Sequence, residues 1–114
     1  MKEEDFIEKV RLGEEVNFSE LMNMIAENFH YTPSSFINGD LVNNENENQG
    51  SAKLFSFAFI NKLSKDEALK CFGEHYKTVL ESPNGDTHYN IRSFMRSGWK
   101  GLKFEKTVLM RKKY

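Results

Sequence analysis

The stretch "SAKLFSFAFINKL", residues 51–63, decides the fold. Phe55, Phe57 and Phe59 alternate as in a half-buried strand, whereas Leu54, Phe57, Ala58 and Asn61, or Phe55 and Phe59, fall at helical spacing. A strand here needs pairing partners, and the chain offers few other strand-like runs. A helix here is apolar all round, the pattern of an element in the middle of a small bundle. The helical reading is preferred. It predicts a mainly α fold: a single compact domain over residues 1–114, of about five helices, with a long ordered loop and a short C-terminal strand.

The flanking segments carry their own punctuation. Phe6, Ile7 and Val10 mark a short first helix that stops before Gly13. Asn17 stands three residues before Glu20 in a capping-box arrangement, and Phe18, Leu21, Met22, Ile25 and Phe29 follow on one helical stripe. Ser64 and Glu67 repeat that signature, opening an apolar phase that runs through Leu69, Phe72, Tyr76 and Val79 to Glu81, with Gly73 as a weak point. "SPNGDT" reads as a turn. Asp86 or Thr87 is then the expected cap of a helix carrying Ile91, Phe94 and Met95, which Gly98 ends. Residues 102–110 have β-like character.

Pro33 disfavours helix at Thr32, so residues 30–50 form a loop of about twenty residues, long enough to imply function or disorder. Its apolar residues Tyr31, Phe36, Ile37, Leu41 and Val42 read as anchors to the core, leaving "NNENENQG", residues 43–50, wholly polar.

A chain of 114 residues is long enough to bury a core without metals or disulfides, and its ten Phe, four Tyr and one Trp supply the area. A single cysteine, Cys71, excludes an internal disulfide. No apolar run approaches the roughly 20 residues that span a bilayer, and the acidic N-terminus is unlike a secretory leader, so membrane insertion is not expected and the chain reads as cytoplasmic. The net charge of −1 conceals polarity along the chain: residues 1–50 hold eleven acids and three bases, residues 89–114 eight bases and the single acid Glu105. Internal docking of the two halves is favoured over a nucleic-acid partner.

The segments "YTP" (31–33), "FING" (36–39), "NQGSAK" (48–53), "FGEHY" (72–76), "NIRSFM" (90–95) and "GWKG" (98–101) together resemble the HopJ type III effector family of small bacterial proteins, over about Val16 to Glu105. The resemblance implies export by a type III system in pathogen relatives, and no catalytic residues to carry over. Where the family shows Gly-Glu-Asn this chain has "NEN", and where it shows Cys before the lysine this chain has Ala52. A cysteine nucleophile at that place is therefore not a shared activity.

Aligning the polar loop to a calcium-binding EF-hand puts Glu45, Glu47 and Gln49 at ligand positions but Ser56 where a bidentate Glu is needed, so calcium is disfavoured. Cys71 and His75 at i, i+4, with His88, suggest zinc, but two or three scattered ligands do not make a site. No metal or cofactor is assigned, since phosphate-cradling glycine patterns and a G-x-S-x-G elbow are both missing from the sequence. Trp99 beside Arg96, Lys100 and Lys103 could stack on single strands, though a lone Trp more often closes a helix end. What remains is a ligand site where the polar loop meets the helix start near His88, drawing on Asn38, Asp40, Lys53, Glu74, His75, Asp86, His88, Asn90 and Arg92. The expected function is a binding or protein-interaction module; the alternative is a small enzyme or ligand-binding protein using that site. Oligomeric state and partner identity are not legible.

Overall fold

The computed structural model describes residues 1–113. Six helices are present there: α1 (Glu3–Arg11), α2 (Phe18–Asn28), α3 (Gln49–Ile60), α4 (Lys65–Lys70), α5 (Glu74–Glu81) and α6 (Tyr89–Ser97). Five strands of three residues accompany them: β1 (Phe29–Tyr31), β2 (Phe36–Asn38), β3 (Leu41–Asn43), β4 (Leu102–Phe104) and β5 (Leu109–Arg111). The fold is α+β, which corrects the mainly α expectation.

The decisive stretch is helical, and α3 is the centre of the core. Ala52, Leu54, Phe55, Phe57 and Ala58 are fully buried. Phe57 meets the edges of Phe6 and Phe29 at ring-centroid distances of 5.7 and 6.2 Å, while Phe55 touches Phe36, Phe72 and Phe94 at 6.4, 5.5 and 4.8 Å. Two phenylalanines of one helix thus bind α1, α6, the corner between α4 and α5, and both strand groups together. Each buried Phe contributes about 1.5–3 kcal/mol from area alone.

The region expected to be an irregular loop contains β2 and β3 and follows β1. Segment 28–39 runs antiparallel to segment 101–112 in one register. Phe29 faces Arg111, Thr32 N–H donates to Val108 O, Ser35 O accepts from Glu105 N–H, Phe36 faces Phe104, and Gly39 N–H donates to Gly101 O. The ladder is interrupted at Pro33, which has no N–H to give. Gln49 bridges the gap: its Oε1 accepts from Ser34 N–H and Tyr31 Oη–H at 3.2 and 2.7 Å, and its Nε2 donates to Ser34 O at 3.0 Å. Ser34 Oγ accepts from Lys106 N–H. The expected single C-terminal strand is therefore two. Among the expected anchors Phe36 is buried, but Ile37 and Val42 are 42% and 67% exposed, paired across the outer face of β2 and β3.

Both Asn17 and Ser64 cap as the sequence indicates, Ser64 with a full capping box. The helix expected to run to Glu81 is split at Gly73. Its φ of +59° suits glycine, and a Cβ there would lie 2.7 Å from Val16 O, so the α4–α5 corner presses directly on the chain entering α2. Glu74 seals that corner by accepting from Phe18 N–H at 2.8 Å. The basic tail docks on the acidic half: Arg111 holds Glu3 through two hydrogen bonds of 2.8 and 2.9 Å, and Lys106 reaches Glu45 at 3.2 Å.

Candidate functional site

A cleft of about 460 Å³ opens where the start of α3, the start of α6 and the α4–α5 corner meet, lined by Gly50, Ser51, His75, His88, Asn90 and the Phe18 ring among others. Its floor is an amide network. Asn43, at the end of β3, accepts at Oδ1 from Asn48 Nδ2 (2.7 Å) and Asn90 Nδ2 (2.9 Å), and returns a bond from its Nδ2 to Asn90 Oδ1 (3.2 Å). Asn38 adds two more, Nδ2 to Asn90 O at 2.8 Å and to Asn90 Oδ1 at 3.0 Å, and Ser93 Oγ–H closes on Asn38 O at 2.6 Å. Asn38, Asn43, Asn90 and Ser93 are all buried, so these bonds lock the β2–β3 hairpin to the first turns of α3 and α6.

That use of the amides has a consequence for the helix starts. Asn48 is the N-cap residue of α3, in the left-handed region at φ 51°, and its side chain is directed sideways to Asn43 instead of down onto its helix. His88 is the N-cap residue of α6, also left-handed at φ 54°, and its Nδ1 lies 3.2 Å from Thr87 Oγ1. Neither helix has a side-chain cap. The first intrahelical donors to find a carbonyl are Ala52 N–H and Arg92 N–H, so the N–H groups of Gly50, Ser51, Asn90 and Ile91 have no acceptor among the described residues. Two helix starts with free donors converge on one cleft, each carrying the partial positive charge of its dipole.

Asp86 and Thr87 were the expected caps of α6, and neither serves. The turn before α6 is held instead by Arg92, whose Nε donates to Thr87 O and whose Nη1 and Nη2 reach Ser82 O, Pro83 O and Ser82 Oγ. Arg92 is buried by this task and turned away from the cleft, which it does not line. Asp86 is exposed. Asp40 is exposed as well, and Lys53 sits 4.3 Å over the Tyr31 ring. Glu74 lies at the far side of the corner, where the Phe18 N–H bond holds its carboxyl below the ordinary carboxylate range. The structure thus brings His75, His88 and Asn90 together at the cleft, with Asn38 beneath, and leaves Asp40, Lys53, Glu74, Asp86 and Arg92 outside its lining.

His75 and His88 stand with ring centroids 5.3 Å apart, His75 also packing edge-on to Phe18 at 5.2 Å. No hydrogen bond or ion pair joins either ring to a carboxylate among the described residues. Cys71 and His75 do not share one helix, because it breaks at Gly73 between the two positions. Burial, with the Glu67 charge adding, pushes the Cys71 thiol up to about 12, far from a reactive thiolate. Among the described residues no three His, Cys, Asp or Glu side chains gather as a metal site. Trp99 is committed to closure: its indole N–H donates to Leu63 O at 3.1 Å and its ring stands edge-on to Phe94 at 5.1 Å, while Lys112 turns to Ala26 O.

The HopJ type III effector protein family matches residues 3–109 of this chain. The chain belongs to that family. The cleft is lined largely from the segments that carried the resemblance: Asn48, Gly50 and Ser51 from "NQGSAK", Phe72 and His75 from "FGEHY", Asn90 and Ile91 from "NIRSFM". A crystal structure of a protein of unknown function, VPA0580, is 40% identical, covers 96% of this chain and 92% of its own, and superposes with a TM-score of 0.93. No curated protein matches the chain. No helix among the described residues is long and apolar enough to cross a membrane. Asn43 and Asn48 were not singled out by sequence reasoning, although the second sits inside a quoted motif; Asn43 was hidden in a polar run that turn chemistry explained equally well.

Proposed function

We propose that this HopJ-family chain is a binding module whose cleft takes a small anionic ligand, a phosphate- or carboxylate-bearing group held by the starts of α3 and α6 with His75 and His88 at its side. The observation that carries the reading is the diversion of both N-cap side chains. Helix starts are ordinarily satisfied by their own caps, and a cap lost costs about 1 kcal/mol. Here Asn48 is spent on Asn43 and His88 adopts a left-handed conformation, so two sets of donors are left presented in a shape fixed by buried amides. Backbone donors at a helix start suit an anion, and rigid placement lowers the entropy lost on binding.

Binding is supported over catalysis because neither histidine is paired with an acid that would orient it as a general base. The test is calorimetric titration with inorganic phosphate, then with a panel of phosphate- and carboxylate-bearing metabolites. The expected result is saturable binding of at least one compound, weakened about tenfold in His75→Ala/His88→Ala. Binding that is unchanged in that double variant, or removed instead by Lys103→Ala or Lys112→Ala, would assign the anion to the basic tail and overturn the reading.

A further inference from the structure

A second concavity of about 530 Å³ lies on a different face, between α3 and the β4–β5 segment, lined by Phe59, Ile60, Trp99, Leu102, Phe104 and Lys106 among others. It continues past Trp99 into a hollow edged by Lys62 and Leu63. Phe59 is the anomaly: it is 70% exposed on a helix whose neighbouring Phe55, Phe57 and Ala58 are fully buried, and its ring stands 5.8 Å from Trp99. We propose that this groove receives an extended segment of a partner protein, an apolar side chain flanked by acids, which adds as a new strand outside β4.

The strand geometry follows from the register. In the β2–β4 pair the ladder bonds flank the odd positions, Gly39 N–H to Gly101 O and Glu105 N–H to Ser35 O, so Leu102 and Phe104 turn their peptide groups outward. Leu102 N–H is taken by Trp99 O, but Phe104 N–H and the carbonyls of Leu102 and Phe104 have no partner among the described residues. The strand order β3-β2-β4 leaves that side of β4 open. An extended peptide satisfies such an edge and drops alternate side chains into the adjoining pocket. A helix could fill the apolar floor but would leave the edge groups unmet.

The charge of the rim selects the flanking residues. Lys62 and Lys106 stand at the two ends of the lining, with exposed Lys65 and Lys100 adjacent to Gly98 and Trp99. The acids of this region are engaged already: Glu105 accepts from Ser35 Oγ–H and Glu45 pairs with Lys106. Lys106 is matched by Glu45 and Glu105 keeps its charge at that end, whereas Lys62, Lys65 and Lys100 have no ion-pair partner among the described residues. Acids of a partner segment beside its apolar anchor therefore meet net positive charge at the Trp99 end of the groove. The groove and the anion cleft share no lining residue, so the two assignments stand or fall separately.

The test uses the full chain and a synthetic probe, acetyl-EDVFVED-amide, with two controls: the same peptide carrying lysines for its acids, and one N-methylated at alternate amides. Saturable binding is expected, with exchange of the Phe104 amide slowed about tenfold or more, and with Phe59→Ser, the lysine control and the N-methylated control each weakening binding about tenfold or more. No binding at about 1 mM peptide overturns the proposal, as does binding that leaves Phe104 exchange unchanged or tolerates the N-methyl groups. Concentration-dependent self-association abolished by Phe59→Ser would also overturn it, assigning the groove to a second copy of the chain.

Discussion

The cleft at the starts of α3 and α6 and the groove along β4 are similar in size and opposite in construction. In the cleft the side-chain amides are bonded to other parts of the chain except at Asn38 Oδ1, which is buried without a partner, and the other unsatisfied groups are backbone. In the groove the unsatisfied backbone belongs to a strand edge, and the side chains are rings with nothing above them. The difference teaches where each region's free energy is kept. Removing a cleft-forming amide weakens the fold, because its neighbours are left buried and unpaired; removing the Phe59 ring from the groove takes little from the fold, because that ring is 70% exposed.

The sharpest form of this contrast lies two residues apart on α3. Phe57→Ala should destabilise the chain by about 4 kcal/mol in urea unfolding, since it empties the space between Phe6 and Phe29. Asn90→Ala comes next at about 3 kcal/mol, because Asn38 and Asn43 both lose partners in a dry interior. Gly73→Ala, which forces a side chain onto Val16 O at a positive φ, is expected near 2 kcal/mol and should loosen the wall that carries His75. Phe59→Ala should fall within about 0.5 kcal/mol of wild type. A loss of about 2 kcal/mol or more there would make Phe59 a core residue and dissolve the comparison.

The smallest effect is electrostatic. The Phe18 N–H bond lowers the Glu74 carboxyl from its ordinary 4.5, so its contribution is present above that value and is lost as pH falls through the lowered one. Glu74→Gln should therefore lower stability slightly at neutral pH and converge on wild type as pH falls below about 4.5, giving a shallower acid limb. The group is exposed, so the change is small. An acid limb identical in the variant would show that the corner is held by Gly73 and packing alone.

Much of the helical framework was legible. The all-round apolar pattern of residues 51–63 marked the central helix, Asn17 and Ser64 marked two starts, and Gly98 marked a stop. Of the strands only the C-terminal β character was legible; β1, β2 and β3 were not, because three residues are too few for an alternating pattern to declare itself, and β1 and β2 find their C-terminal partners about seventy or eighty residues away. Polarity misled twice at the site. Asp86 looked like a cap, yet Arg92 fixes the preceding turn so that His88 takes that position. Asn43 looked like loop chemistry, yet its neighbours in space are Asn48 and Asn90, which sequence order separates from one another. A helix start with free donors meeting the polar loop near His88 was the expected place of the site, and the cleft opens there with His75, His88 and Asn90 in its lining; the pairing of the asparagines needed three dimensions. Phe59 was read as one more core phenylalanine, since nothing in its spacing separates it from Phe55.

The central claim is that two uncapped helix starts make one anion site, and amide chemical shifts measured during titration with inorganic phosphate test it most directly. The account predicts saturable shifts at Gly50, Ser51, Asn90 and Ile91, with Phe59 and Phe104 silent. Shifts spread over Lys103, Lys112 and the rest of the basic tail, with those four amides unmoved, would contradict it.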